Sequence, residues 1–209
     1  MARPSMSDAA AQLSARDPVL AALVARHGPP PLRRPVRSDR RFESLVETIV
    51  YQQLAGRAAA TIHGRLLEAL DGSVTPEAVL AAPDELLASA GLSRAKAASI
   101  RDLADQVSSG AVALEQIGRL SDQEVVDHLT RVRGIGPWTA QMFLLATLGR
   151  LDVWPTGDYG VRAGFARAWG LPQIPTPNQL SELGEPFRPY RSLVAWYCWR
   201  AVDQDPPPG

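Results

Sequence analysis

Helix starts recur along this chain, and no run of alternating β-branched residues and no Asn-Gly hairpin turn interrupts them. That pattern predicts an all-α fold made of many short helices. Asp17-Pro18 sets an N-cap before a proline at the first helical position, and VLAALVARHG follows. FESLVETIVYQQL places Phe42, Leu45, Val46, Ile49 and Val50 on one face at i, i+3, i+4, i+7 and i+8. GRAAATIHGRLLEAL continues as a small-residue helix, and Thr75-Pro76-Glu77, Pro83-Asp84-Glu85 and Ser93 open three more. Ser121-Asp122-Gln123-Glu124 is a capping box ahead of Val125, Val126 and Leu129. Ala140, Phe143, Leu144, Thr147 and Leu148 repeat the helical spacing. Asp158 precedes YGVRAGFARAWG, Thr176-Pro177 caps a short helix, and Tyr190 begins a long, tryptophan-rich one.

A chain of 209 residues suits one large domain, or two small lobes sharing a core. Cys198 is its lone cysteine, which excludes an intramolecular disulfide and a Cys-rich zinc or iron–sulfur site. The N-terminus lacks the apolar core of a signal peptide, and no apolar run reaches the roughly 18 residues of a membrane span. A cytoplasmic monomer without membrane contact is the expectation. The predicted organisation is a flexible N-terminus at 1–16, a folded domain at 17–202 and a loose tail at 203–209. Within the domain, lobes at roughly 40–118 and 119–202 come in addition to the N-terminal helix, and GPPPLRRPVRSDR is a proline-broken basic linker. Net charge is zero, which argues against a dedicated basic face. Nearly all the basic residues are arginine, with Lys96 the one lysine; arginine suits bidentate phosphate contacts, and GC-rich coding produces the same skew.

Residues 129–140, LTRVRGIGPWTA, carry the densest signal. Two helical patterns meet at Gly134-Ile135-Gly136, and Pro137 stands where the second begins. Glycines open backbone angles closed to other residues and remove side chains that would hold a ligand off the main chain. N–H groups of Gly134, Gly136 and the first helical turn, Thr139 included, then form an anion site at the positive end of a helix dipole. A DNA phosphate fits such a site, and Arg131 and Arg133 flank it. A plain helix–helix turn with glycines for tight packing is the competing explanation.

The string LTRVRGIGPWTAQMFLLATLG, followed by the carboxylate of PTGDYGVR, resembles the helix-hairpin-helix Gly/Pro–Asp superfamily of DNA glycosylases, and within it the 3-methyladenine DNA glycosylase II branch. The resemblance spans about residues 40–200 and includes IVYQQLAGRAA, GLSRAKAASIRDLA and PYRSLVAWYCW in order. It implies a two-lobed helical fold with a cleft between the lobes, double-stranded DNA with damaged bases as partner, and no cofactor.

The resemblance makes Asp158 the catalytic carboxylate. Breaking an N-glycosidic bond builds positive charge on the deoxyribose, and a preorganised carboxylate lowers that barrier. Read from its neighbours alone, Asp158 is a helix N-cap; both roles are compatible. Asp152 is a weaker candidate. Trp138 stands where lyase relatives carry a Schiff-base lysine, so the expected enzyme is monofunctional. Trp138, Trp199, Tyr190, Met142 and Trp154 are expected around the base, with Trp199 matching the residue that stacks on it and electron-rich rings favouring cationic bases. For each of these aromatics the competing role is core packing. Gln53 is expected at the wedge that enters the gap left by the flipped base, against a role as a polar helix-end residue. A monovalent cation on backbone carbonyls of Thr130, Val132 and Ile135 is implied as a structural aid to phosphate binding, and no catalytic metal. His27, His63 and His128 form no readable metal site. The expected reaction is excision of bases such as 3-methyladenine and 7-methylguanine in base excision repair. Two rivals share the hairpin: a non-catalytic damage-binding protein, and a glycosylase for deaminated or etheno bases.

Overall fold

The computed structural model describes residues 4–31, 35–54 and 56–203, and among them every regular element is helical. In chain order these are α1 (Met6–Arg16), α2 (Pro18–His27), α3 (Arg41–Tyr51), α4 (Gly56–Ala69), α5 (Pro76–Ala81), α6 (Asp84–Ser89), α7 (Arg94–Ser108) and α8 (Asp122–Leu129). α9 (Pro137–Met142), α10 (Tyr159–Ala168), α11 (Pro177–Leu183) and α12 (Arg191–Asp203) follow, with short 3-10 turns at Ser38–Arg40, Ile117–Arg119 and Glu185–Phe187. Among the described residues, no helix is long and apolar enough to cross a membrane.

The caps explain where the helices begin. Asp17, Thr75, Ser93, Ser121, Asp158 and Thr176 each accept a backbone N–H of the first turn, as the sequence predicts. Where a flexible N-terminus is predicted for 1–16, residues 6–16 form α1, and residues 1–3 lie outside the described residues. Ser5 caps α1 by accepting from Asp8 N at 3.0 Å, and Ala9 and Leu13 are fully buried. The Ser5-to-Asp8 cap and the Ala9/Leu13 stripe are the signal for this helix, and burial of that stripe is what orders it. The linker residues 32–34 and most of the tail, 204–209, lie outside the described residues.

Contacts divide the chain into two compact units, one of Met1–Arg34 with Gly149–Gly209 and one of Pro35–Leu148. The hairpin therefore belongs with α3–α7, whereas the sequence reading grouped it with the C-terminal helices. In the 35–148 unit, α3 buries Phe42, Leu45, Val46, Ile49 and Val50, the predicted face, and packs on α4, α7 and α9. After α9 the chain widens into a π-type turn at Phe143–Thr147, where Leu148 N donates to Phe143 O at 3.0 Å. Thr147 is tied on both sides: its carbonyl accepts from Val36 N at 2.8 Å, and its hydroxyl pairs with Ser44 Oγ at 2.7 Å.

In the other unit, α1, α2, α10 and α12 enclose Leu13, Leu20, Val161, Phe165, Leu193 and Val194. Phe165 stacks on Trp169 with ring centroids 4.1 Å apart. α10 and α12 approach closely because Gly164 faces the backbone of Cys198; a Cβ on Gly164 would overlap Cys198 O.

Candidate active site

The turn between α8 and α9 folds as the expected helical hairpin. Ser121 and Glu124 complete the capping box that starts α8, Ile135 N donates to Val132 O at 3.1 Å, and Pro137 enters α9 at its first position. Its two glycines have different causes. Gly134 lies at φ 74°, and a Cβ there would overlap the hydroxyl of buried Ser99 on α7. Gly136 lies at φ −92°, and a Cβ there would meet nothing within 4 Å. Neither strain nor packing requires glycine at 136. Its missing side chain leaves the backbone open from the solvent side.

Helix α7 holds the turn from behind. Asp102 Oδ2 accepts from Arg133 N at 2.7 Å and from Gln106 Nε2 at 2.9 Å, and Gln106 Nε2 also donates to Arg131 O at 3.2 Å. The side chains of Arg131 and Arg133 remain exposed. Thr139 is buried, and its hydroxyl accepts from Gln52 Nε2 at 3.0 Å. The hydroxyl thus serves the interior. Gln52 Nε2 also donates to Gly134 O at 3.1 Å.

Gln53, next in the chain, is exposed and sits at φ 56°, a left-handed conformation uncommon for a residue with a Cβ. Gln52, Gln53, Gly134, Trp138 and Thr139 share one open depression of about 450 Å³. Trp138 is 40% exposed there, and Met142 is half-buried. Larger hollows between α6 and α7, and around 171–186, contain none of the candidate residues. Lys96 Nζ donates to Val50 O at 2.7 Å and to Gln52 O at 2.8 Å, and burial lowers the affinity of this ammonium for its proton.

The carbonyls of Thr130, Val132 and Ile135 are neutral oxygens. Val132 O already accepts from Ile135 N and keeps a second lone pair. Such a donor set suits a weakly held monovalent ion. Among the described residues, no group of three or more His, Cys, Asp or Glu side chains is arranged to hold a metal.

In the other unit, residues 150–158 are anchored before they deliver Asp158. Ser192 Oγ donates to Arg150 O at 2.7 Å and accepts from Val153 N at 2.9 Å. Trp154 Nε1 donates to Leu180 O at 2.8 Å, in space that Gly184 leaves by lacking a Cβ. The turn closes as Asp158 N donates to Pro155 O at 3.0 Å. Asp158 then caps α10, its Oδ1 accepting from Val161 N at 2.8 Å and from Trp199 Nε1 at 3.0 Å. The carboxylate is only partly buried, so capping α10 does not bury it. Gly160 makes room for the pair: a Cβ there would press on Trp199 Cδ1 at 3.0 Å and Asp158 Oδ1 at 3.1 Å. Burial, and then the charge of Asp158, push the neighbouring Cys198 thiol well up.

Of the aromatic residues expected around the base, Trp199 lies against Asp158, and Trp138 shares the depression with Gln53. Trp154 and Tyr190, both expected around the base, are each 7% exposed and pack in the apolar core, the competing role weighed for each. Their indole and phenol rings pack where the apolar cluster around Phe165 and Leu180 is formed. Trp196 packs edge-on to His27 and is separate from the Trp199–Asp158 pair. Asp152 is removed as a candidate acid, because Arg191 holds both its oxygens at 2.8 and 2.9 Å and Arg188 adds a contact at 2.7 Å. The residues that sequence reasoning missed are Gln52, Lys96, Ser99, Asp102 and Gln106. All five act through contacts distant in sequence. Tyr159, 65% exposed beside Asp158, was also missed, although its adjacency in DYG was legible.

The HhH-GPD superfamily of base excision DNA repair proteins matches residues 46–189. The DNA-3-methyladenine glycosylase 1 of Schizosaccharomyces pombe is 34% identical over 173 residues, 80% of this chain and 76% of the relative. A structure of a 3-methyladenine DNA glycosylase from the same yeast, in complex with abasic DNA, superposes with a TM-score of 0.82 at 32% identity, covering 92% of this chain and 95% of the other. A DNA-3-methyladenine glycosidase from Bacillus halodurans gives a TM-score of 0.77 at 33% identity, covering 90% and 86%.

Proposed function

Because the chain belongs to the HhH-GPD superfamily of base excision DNA repair proteins, we propose that it is a monofunctional DNA glycosylase that hydrolyses the N-glycosidic bond of alkylated bases in duplex DNA. The observation that carries this reading is the setting of Asp158. It is a partly exposed carboxylate whose Oδ1 is fixed by two donors, the Val161 N–H and the Trp199 indole.

The residues then divide the work. Open backbone at Gly136, the first turn of α9, and the exposed Arg131 and Arg133 hold phosphates of the duplex. Gln53 fills the space that the extruded nucleotide leaves. Trp199 and Trp138 offer π-faces to a base that carries positive charge. As the bond from the sugar to the base nitrogen breaks, its electron pair leaves with the base and the sugar becomes cationic. Asp158 faces that charge, and water adds to the sugar carbon with loss of a proton. An alkylated purine departs as a neutral base, so one carboxylate suffices and no strong general acid is required.

Two side chains support hydrolysis without strand cleavage. Trp138 cannot form an imine, and Lys96 Nζ is engaged by the carbonyls of Val50 and Gln52. A monovalent cation on the carbonyls of Thr130, Val132 and Ile135 would add positive charge beside the phosphate. The protein acts as a monomer in the cytoplasm on this reading.

The test is release of free bases from methylated duplex DNA, followed by alkali to cut abasic sites. Asp158→Asn should lower the excision rate by about 100-fold or more while duplex affinity stays close to wild type. Equal strand breakage by both proteins would remove Asp158 from the chemistry. Borohydride should trap no covalent protein–DNA adduct.

A further inference from the structure

The chain's one lysine lies far from Asp158 in sequence, yet it is placed with care. Lys96 Nζ reaches back from α7 to Val50 O in the last turn of α3 at 2.7 Å and to Gln52 O, just past its end, at 2.8 Å. Terminal helix carbonyls lack intrahelical partners, and an ammonium there also meets the negative end of the helix dipole. Gln52 is held a second time through its side chain, which donates to Gly134 O at 3.1 Å and to Thr139 Oγ1 at 3.0 Å. Its main chain is thus tied to α7 and its amide to the hairpin. The next residue is Gln53, exposed and left-handed at φ 56°. A non-glycine residue seldom adopts that region, so the flanking contacts must impose it.

We propose that Lys96 and Gln52 form a brace that holds the Gln53 tip in its inserting conformation and couples it to the phosphate-binding hairpin. Lys96 and Gln52 are positioning residues; neither needs to touch the lesion. The inference rests on the glycosylase reading above and deepens it. Without the brace, the segment after Tyr51 relaxes out of the left-handed region. Gln53 then enters the gap less often, while the hairpin still grips phosphates.

The test compares Lys96→Met, Lys96→Arg, Gln53→Ala and the Lys96→Met/Gln53→Ala double variant in the full chain. Three quantities are read: single-turnover release of methylated bases, affinity for undamaged duplex, and fluorescence of 2-aminopurine opposite an abasic-site analogue. Lys96→Met should lower single-turnover release about tenfold and damp the 2-aminopurine response, with undamaged-duplex affinity within about twofold of wild type. Gln53→Ala should show the same loss, and the double variant should be no worse than either single, the mark of residues acting through one another. Lys96→Arg, which keeps cationic donors, should recover part of the loss. The brace is refuted if Lys96→Met matches wild type, if it weakens duplex affinity as much as release, or if its loss adds in full to that of Gln53→Ala. Should Lys96→Met fail to fold, Lys96→Gln takes its place in the same cycle and is judged by the same criteria. A wild-type protein that releases no base yet gives a Lys96-dependent 2-aminopurine response overturns the glycosylase reading and leaves the brace standing.

Discussion

At residue scale, the two glycines of the hairpin stand under different demands. Gly134 is required by its left-handed φ and by the Ser99 hydroxyl beneath it, whereas Gly136 is under neither demand. Gly134→Ala should therefore destabilise the protein by about 2–3 kcal/mol, combining backbone strain with overpacking. Gly136→Ala should cost under about 1 kcal/mol, the range of a poorer N-cap, and yet weaken duplex binding severalfold. Thermal melts and duplex titrations of both variants check this. If Gly136→Ala binds DNA normally, the open-backbone role is wrong. The sequence revealed both glycines but not this division, because a left-handed φ and a neighbour on α7 are facts of three-dimensional structure.

At the scale of elements, the candidate carboxylate depends on how closely α10 and α12 cross. Gly160 and Gly164 lie one turn apart on α10. The first makes room for the Trp199–Asp158 hydrogen bond and the second meets the Cys198 backbone. Gly164→Ala must force the helices apart, at a cost of about 3 kcal/mol or more. It should also lower excision by more than the lost stability explains at a temperature where the variant is still folded. Trp199→Phe keeps a ring and removes the Nε1 donor. It should reduce excision with little change in melting temperature, since the site is partly exposed. The sequence places Asp158 at a helix start from its neighbours alone, and the cap is there. It does not show that the capping oxygen is also held by an indole 41 positions later.

At the scale of the whole molecule, a charged cluster ties distant segments of one unit. Arg188 and Arg191 bridge Asp152 and Glu185. Hydrogen bonding from Arg188 holds the Glu185 carboxyl below its usual range, and Arg188 is correspondingly raised. A carboxylate whose folded pKa is depressed contributes stability above its unfolded value and loses it as pH falls through the folded one. Melting temperature should then drop as pH is lowered below the ordinary glutamate value of 4.5, and Glu185→Gln should flatten part of that drop. The cluster is exposed at Glu185 and Arg188, so added salt should weaken the effect.

Local chemistry settled the helices, their caps, the hairpin and the position of the carboxylate, because apolar spacing, capping side chains and glycine–proline turns act within a few residues. Even the N-terminal segment read as flexible carried its Ser5 cap and its Ala9/Leu13 stripe in plain view. Tertiary structure alone decided which tryptophans became core and which met the carboxylate, which unit owns the hairpin, and how Lys96 and Gln52 support the tip at Gln53. Those outcomes depend on contacts between residues tens of positions apart. Burial and hydrogen bonding at such distances are set by packing, and packing leaves no periodic trace in the chain.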